Sequence, residues 1–215
     1  MINKDNNIKS FPRNDSFIAG GKLFWFSKRI FDIFFSLILL PIMILVTITL
    51  IIFNRFYNLG PVFFVQQRMG KDCIRFNAFK FRSMTVISQI DRKFNDPVEY
   101  NRITPLGGFL RRSRLDELPQ IVNVLKGEMS LIGPRPDYYD HALIFLETVA
   151  EYRGRHIIRP GISGLSQIRL GYAEGLKATR KKSIIDCYYI KNAGFILDSK
   201  ILFGTIITIF RRIGM

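Results

Sequence analysis

Between Ile30 and Phe53 the chain reads IFDIFFSLILLPIMILVTITLIIF, and only Asp32, Ser36, Thr47 and Thr49 interrupt the apolar run with polar side chains. A helix needs about 20 such residues to cross the hydrocarbon of a bilayer. The run is too long for the apolar core of a cleavable signal, and no small-residue cleavage site follows it. Two features set it apart from a plain span. Pro41 lies near its middle, where it removes a helix hydrogen bond and favours a kink. Basic residues lie on both sides, with Lys22, Lys28 and Arg29 before and Arg55, Arg68 and Lys71 after, so charge asymmetry assigns no orientation. One solution is a helix that enters one leaflet, bends at the proline and returns to the same side. The alternative is an ordinary kinked transmembrane helix.

The rest of the chain is long enough for a folded domain. Residues 1–22 are polar and without a period, and residues 1–27 are expected to form a mobile tail. Residues 28–58 hold the membrane helix, and residues 59–215 are expected to form one domain. Val62 to Val65 and Ile74 to Phe81 are rich in strand formers with Gly70 between them, which predicts a hairpin. There Phe76, Phe79 and Phe81 interleave with Arg75, Lys80 and Arg82. Such a pattern can stack on bases, but a half-buried strand with a basic outer face accounts for it more simply. SQIDRKFNDPVEYNRITPLGG reads as a loop, followed by a helix carrying Phe109 and Leu110. RPGISGLSQI reads as loop or short strand. KATRKKSIIDCYYIKNAG reads as a helix ended by Gly194. The last segment, from Phe195, is apolar with a basic end. Asp198, Lys200, Arg211 and Arg212 on or beside a polar face suit a helix lying in the membrane interface, with a packed core helix as the rival. The expected fold class is α+β, mostly helical.

Lys and Arg number 32 against 17 acidic residues, a formal net charge of +15. That favours a polyanionic partner such as nucleic acid, an acidic membrane surface or a phosphorylated substrate, although a solubilising surface has the same composition. Cys73 and Cys187 are far apart and read as reduced thiols. His141 and His156 have no metal-ligand spacing.

The most informative stretch is RRSRLDELPQIVNVLKGEMSLIGPRP, Arg111 to Pro136. Leu115, Leu118, Ile121, Val122 and Leu125 recur at helical spacing. Pro119 suits a first turn and Gly127 marks the end. Asp116 and Glu117 therefore sit at or just before a helix N-terminus, where the dipole favours negative charge. A simple N-cap would explain Asp116 alone. Arg111, Arg112 and Arg114 precede the pair, and Arg135 follows between two prolines that restrict its backbone. Arginine matches phosphate oxygens bidentately, and two carboxylates can serve one Mg²⁺ alongside substrate phosphates. Together these residues suit a diphosphate with a metal, and Asp116 can attack phosphorus to give an acyl-phosphate.

In this order, KRIFD, the apolar segment, GPVFFVQQRMG, FKFRSM, LRRSRLDELPQIVNVLKGEMSLIGPRP, RPGISGLSQI and DCYYIKN resemble the bacterial sugar transferases, the monotopic phosphoglycosyl transferases that start glycan assembly on a lipid carrier. The resemblance runs from about Lys28 to the C-terminus. It implies a UDP-sugar and a polyprenyl phosphate as substrates, Asp116 as the nucleophile that carries a phospho-sugar, and Glu117 as a Mg²⁺ ligand with Asp116. It implies that Arg111 and Arg135 contact phosphate or fix the acids, with Lys80 and Arg82 as further substrate-binding residues. It implies a re-entrant helix broken at Pro41 and a catalytic domain on the cytoplasmic face of a bacterial inner membrane. The partners expected are UDP-sugar, polyprenyl phosphate and the bilayer, not nucleic acid; a homodimer is left open. The sequence departs from the family in three places. Leu40-Pro41 replaces the usual Ser-Pro about one turn early, with Ser36 one turn upstream as the hydroxyl able to cover a freed carbonyl. IRLGYAEG stands where Asn-Gly-Arg is frequent, and Leu165 where Trp is frequent.

Overall fold

The computed structural model describes residues 18–86, 99–171 and 175–210, with Phe210 described by its backbone alone. The expected tail before residue 18, most of the expected polar loop, residues 172–174 and the basic end at Arg211 and Arg212 lie outside the described residues.

The apolar run forms the centre of one long helix, α1 (Lys22–Tyr57), which stays helical through Pro41. It starts earlier than the expected boundary at residue 28. Its buried residues are Phe24, Lys28, Asp32 and Ser36, then Leu50 and Asn54. Each group is spaced by four, which places it on one helix face. Residues 37–49 contain no buried position. The polar residues near the start of the run face the protein: Lys28 pairs with Asp198 at 2.6 Å, and Asp32 accepts from Leu131 N at 3.0 Å. At the other end Asn54 Nδ2 donates to Gly60 O at 3.0 Å and Asn58 Nδ2 to Arg82 O at 3.0 Å. Both ends of α1 are thus fixed to the same folded unit. Ser36 is fully buried and its hydroxyl makes no hydrogen bond among the described residues, so the expected cover of a carbonyl near Pro41 is not formed.

The hairpin pairs β1 (Phe63–Met69) with β2 (Arg75–Phe81), with Phe63 opposite Phe81 and Met69 opposite Arg75. It presents two faces. Phe64, Gln66, Arg68, Phe76, Ala78 and Lys80 share one, because cross-strand partners point the same way. Phe81 on the other face is buried with Leu50 and Leu110, and Lys126 lies over the Phe79 ring at 5.0 Å. These rings serve packing, as the simpler reading of the Phe/Arg pattern expected.

After α2 (Pro105–Arg112), α3 (Gln120–Lys126) lies along the free edge of β2. The side chain of Asn123, fully buried, takes the place of a third strand: Oδ1 accepts from Phe79 N at 3.1 Å and Nδ2 donates to Asn77 O at 2.7 Å. Gly127 ends α3 with φ 84°, a conformation that costs glycine little. Arg29 of α1 donates to the last carbonyls of α3, Val124 O at 2.8 Å and Leu125 O at 3.2 Å, where a cation is favoured. The long apolar helix α1 is thereby bolted to the helix that follows the two acids.

The second half pairs part of RPGISGLSQI, the segment read as loop or short strand, with a strand the sequence reading did not anticipate, and adds two further helices. β3 (Ser130–Ile132) pairs in parallel with β4 (Gly161–Ser163); in the chain α4 (Tyr139–Thr148) lies between the two strands and α5 (Leu165–Leu170) follows β4. A Cβ on Gly161 would lie 2.0 Å from Gly133 N, so only glycine permits this crossing. α6 (Leu176–Lys191) ends at Asn192, earlier than the expected Gly194, and α7 (Phe195–Phe210) follows. Leu165, at the frequent Trp position, is buried in a cluster with Ile132, Tyr189 and Ile201. Asp198 does not lie on the polar face that an interfacial helix would turn to water. It faces inward, to Lys28 and to the Tyr189 hydroxyl at 2.7 Å. Phe195, Ile196, Phe203 and Ile207 of α7 are exposed.

Candidate active site

The chain turns sharply before the acids. Arg114, a non-glycine residue at φ 58°, sits in the left-handed region, a conformation that costs about 1–2 kcal/mol and is found at functional sites. A short 3₁₀ turn, Leu115–Glu117, follows, and Pro119 leads into α3. Leu115 and Leu118 pack against the cluster of Leu50, Phe81 and Leu110. That packing fixes the turn between them. Asp116 makes no capping bond to α3, so the N-cap reading is set aside.

The two acids occupy opposite electrostatic states. Glu117 is 5% exposed. Arg135 grips it bidentately, with Nη1 to Oε2 at 3.1 Å and Nη2 to Oε1. Lys80 Nζ reaches Oε1 at 2.8 Å, and Arg114 stands 3.9 Å from Oε2. Burial alone would raise its pKa, but Arg135 and Lys80 override burial and hold it well below the usual carboxylate range. Asp116 is also buried, at 8% exposure, yet among the described residues it has no ion pair or hydrogen bond of its own. Burial raises its pKa, and the charge on Glu117 adds to the rise. Burial lowers the pKa of Lys80; Glu117 opposes this and Arg135 adds to it.

Of the predicted binding residues, Arg135 and Lys80 meet at Glu117. Arg111 donates Nε–H to Ser83 Oγ at 2.9 Å, and its charge bears on Asp116. Arg82 is not brought to the acids. Its guanidinium donates to Pro61 O at 2.6 Å, Asn58 Oδ1 at 2.8 Å, Met84 O at 3.1 Å and Asn58 O, so it clasps the end of α1 to β2. The physical reason is the end of the strand: alternation would put Arg82 on the Lys80 face, but β2 stops at Phe81 and the chain turns away before Arg82. Sequence reasoning missed Arg68, on the same hairpin face as Lys80, whose charge also lowers the lysine pKa. Pairing the strands about Gly70 would have found it.

The described residues contain no group of three or more His, Cys, Asp or Glu able to hold a metal. Lys80, Arg111, Arg114 and Arg135 stand against Asp116 and Glu117, leaving an excess of two positive charges. A bare divalent cation is disfavoured there, whereas one carried with a diphosphate fits, since magnesium commonly takes one or two carboxylates plus phosphate oxygens.

This constellation combines a buried turn, one compensated acid, one open acid and surrounding cations. The profile of bacterial sugar transferases matches residues 23–212. The chain belongs to the bacterial sugar transferase family. Among family members, the UDP-N-acetylgalactosamine-undecaprenyl-phosphate N-acetylgalactosaminephosphotransferase of Aeromonas hydrophila is 42% identical over 89% of this chain and 45% of its own length. The exopolysaccharide production protein PSS of Rhizobium leguminosarum is 38% identical over 86% of this chain and 96% of its own. The UDP-glucose:undecaprenyl-phosphate glucose-1-phosphate transferase of Klebsiella pneumoniae is 36% identical over 94% of this chain and 43% of its own. The chain thus spans about half the length of two of these relatives and nearly all of the third.

Proposed function

We propose that this sugar transferase moves a sugar-1-phosphate from a UDP-sugar to a polyprenyl phosphate such as undecaprenyl phosphate, and so starts the assembly of a glycan. The observation that carries the reading is the division of labour between the acids: Arg135 and Lys80 hold Glu117, which leaves Asp116 open among cations.

In the first step an Asp116 oxygen attacks the phosphorus next to the sugar. The bond from that phosphorus to the bridging oxygen breaks, and UMP leaves with the oxygen. In the second step a phosphate oxygen of the polyprenyl phosphate attacks the same phosphorus and displaces the carboxylate, giving a polyprenyl diphosphate sugar. The sugar C1–O bond is never broken, so the anomeric configuration is retained. In this reading Arg111 and Arg135 stabilise charge on the phosphoryl oxygens, which is most of what catalysis of such a transfer demands. Asp116 and Glu117 are the carboxylates that would hold Mg²⁺; bound with the diphosphate, it would neutralise further charge.

The same proposal places α1 as a re-entrant helix in the inner membrane with the domain on the cytoplasmic face. A helix whose two ends are fixed to one folded unit does not deliver them to opposite sides of a hydrocarbon layer about 30 Å thick. The relatives named above act on different sugars, so the sugar is left to experiment. UMP release across a panel of UDP-sugars, with polyprenyl phosphate and with or without a magnesium chelator, tests the function. No release from any donor would refute it.

A further inference from the structure

The GPRP segment owes its position to an unusual set of contacts. Four successive backbone carbonyls each accept a hydrogen bond from a different group. Pro134 O accepts from Gly161 N at 2.9 Å, Arg135 O from Arg155 Nη2 at 2.6 Å, Pro136 O from Arg68 Nη1 at 2.9 Å, and Asp137 O from Met69 N at 3.1 Å. Two of the four residues are prolines, with no N–H to offer and with φ already restricted. Arg135 therefore projects from a backbone fixed on both sides.

Arg155 is the least replaceable of these donors. It is 1% exposed. Its guanidinium also pairs with Asp137 and, at 2.8 Å, with Asp186 of α6. Asp137 in turn accepts from Lys182 and from the Tyr152 hydroxyl at 2.9 Å. A buried arginine so enclosed would need only its two acids to balance its charge. The further bond to the carbonyl of Arg135 links this buried network to the residue that grips Glu117.

We infer that Arg155 is a positioning residue for the transfer reaction: by holding the Arg135 carbonyl against α6 and the turn at residues 153–156, it sets the bidentate contact of Arg135 with Glu117. The inference rests on the proposed function for its kinetic test. Lysine keeps the buried charge but has no planar fork, and it cannot reach Asp137, Asp186 and the carbonyl together. Arg155→Lys is expected to lower kcat about ten- to hundred-fold, the scale of an ångström-sized displacement, with a much smaller change in KM for the UDP-sugar. In an Arg135→Ala background the same substitution is expected to cost little more, because the two residues act as one unit. If the losses multiply in full, or if Arg155→Lys lowers the melting temperature while kcat per folded molecule is kept, Arg155 serves only the fold and the inference fails. If Arg155→Lys does not fold, the same cycle with Arg68→Lys, a half-buried side chain holding the next carbonyl, decides the matter by the same criteria. A structure of the variant in a nanodisc gives a readout independent of turnover. There an unchanged Arg135–Glu117 pair overturns the inference, whereas an inactive wild type counts against the proposed function instead.

Discussion

Asp116 and Glu117 are adjacent in the chain, yet Arg135 and Lys80 close on both oxygens of Glu117 while Asp116 has no ion pair among the described residues. Compensated and buried, Glu117 makes a poor nucleophile. In the proposed reaction Asp116 is the acid that attacks phosphorus; burial and Glu117 raise its pKa, and Lys80, Arg135 and Arg111 favour its charged form. Asp116→Asn is therefore expected to abolish UMP release, since an amide cannot attack as an anion. Glu117→Gln is expected to cost about two to three orders of magnitude, the scale of losing a preorganised electrostatic contact, and to weaken the use of Mg²⁺. Mass spectrometry after brief exposure to UDP-sugar is expected to find the phospho-sugar on the peptide carrying Asp116. Near-normal turnover by Asp116→Asn rules out covalent catalysis at this residue.

The pH dependence follows from the same pair. Burial and the negative charge of Glu117 raise the pKa of Asp116, and only the ionised form attacks. The acid limb of kcat/KM is thus expected above the usual carboxylate range. Glu117→Gln removes the like charge and leaves Arg135 and Lys80 to act on Asp116 alone. Both changes lower the Asp116 pKa, so the acid limb of the residual activity moves to lower pH. A limb that stays in place or moves upward contradicts this account of the site.

Arg135→Lys is not conservative here. Arg135 reaches Glu117 Oε1 and Oε2 together, and an ammonium cannot span both oxygens in one plane. A fall in kcat/KM of about ten- to hundred-fold, or about 1.4 to 3 kcal/mol, is expected. An unchanged value for the UDP-sugar removes Arg135 from the machinery.

These roles were legible in the sequence to different depths. The hairpin, α3 and the placement of the acids before it follow from local periodicity and from Pro119, Gly70 and Gly127. The arginines around the acids also announced themselves by proximity in the chain. What stayed hidden depends on contacts between distant segments. The parallel pair of β3 with β4 joins three-residue strands about 30 positions apart, too short for a pattern. Arg82 reads like Lys80 in sequence, and only the end of β2 separates their directions. Lys28 reads as a basic flank and Asp32 as a blemish in the apolar run, but Asp198 and Leu131 N are their partners.

His156 gives the fold an acid sensitivity. It is buried, its Nδ1 lies 3.1 Å from Gly70 O, and Nε2 has no partner. Burial, helped by the charge of Arg155, pushes its pKa down to about 3. The unfolded chain binds that proton near pH 6.5, so this contribution is complete above 6.5 and is lost as pH falls toward 3. The slope is up to about 1.4 kcal/mol per pH unit. Asp137 and Glu117, both held low, add their losses only below about pH 4. His156→Phe is expected to lower stability at neutral pH and to flatten its decline between about pH 6.5 and 4.5. Thermal unfolding in detergent across that range measures both, and an equally steep decline in the variant would assign the sensitivity to another group.

The topology of α1 makes the last prediction. Phe24 to Ser36 and Leu50 to Asn54 bury against the same domain, while residues 37–49 carry Pro41 and hold no buried position, with only Met43 and Val46 packed in part against the Leu50 cluster. A re-entrant helix keeps both flanks in the cytoplasm, and a straight span places the two on opposite sides of the membrane. Cys73 and Cys187 are free thiols, so they are first replaced by serine. Single cysteines are then introduced by Gly21→Cys, where an added Cβ meets nothing within 4 Å, and by Lys177→Cys on exposed α6. Both sites are expected to resist a membrane-impermeant maleimide in intact cells and to label after lysis. Labelling of Gly21→Cys from outside, with Lys177→Cys still protected, means a plain transmembrane helix. Pro41→Leu alone is expected to leave the pattern unchanged, because Lys28–Asp198 and Asp32–Leu131 hold the first arm against the domain. Combined with Asp32→Leu, which removes one of those anchors and extends the apolar run, it is expected to bring a fraction of Gly21→Cys to the outer face.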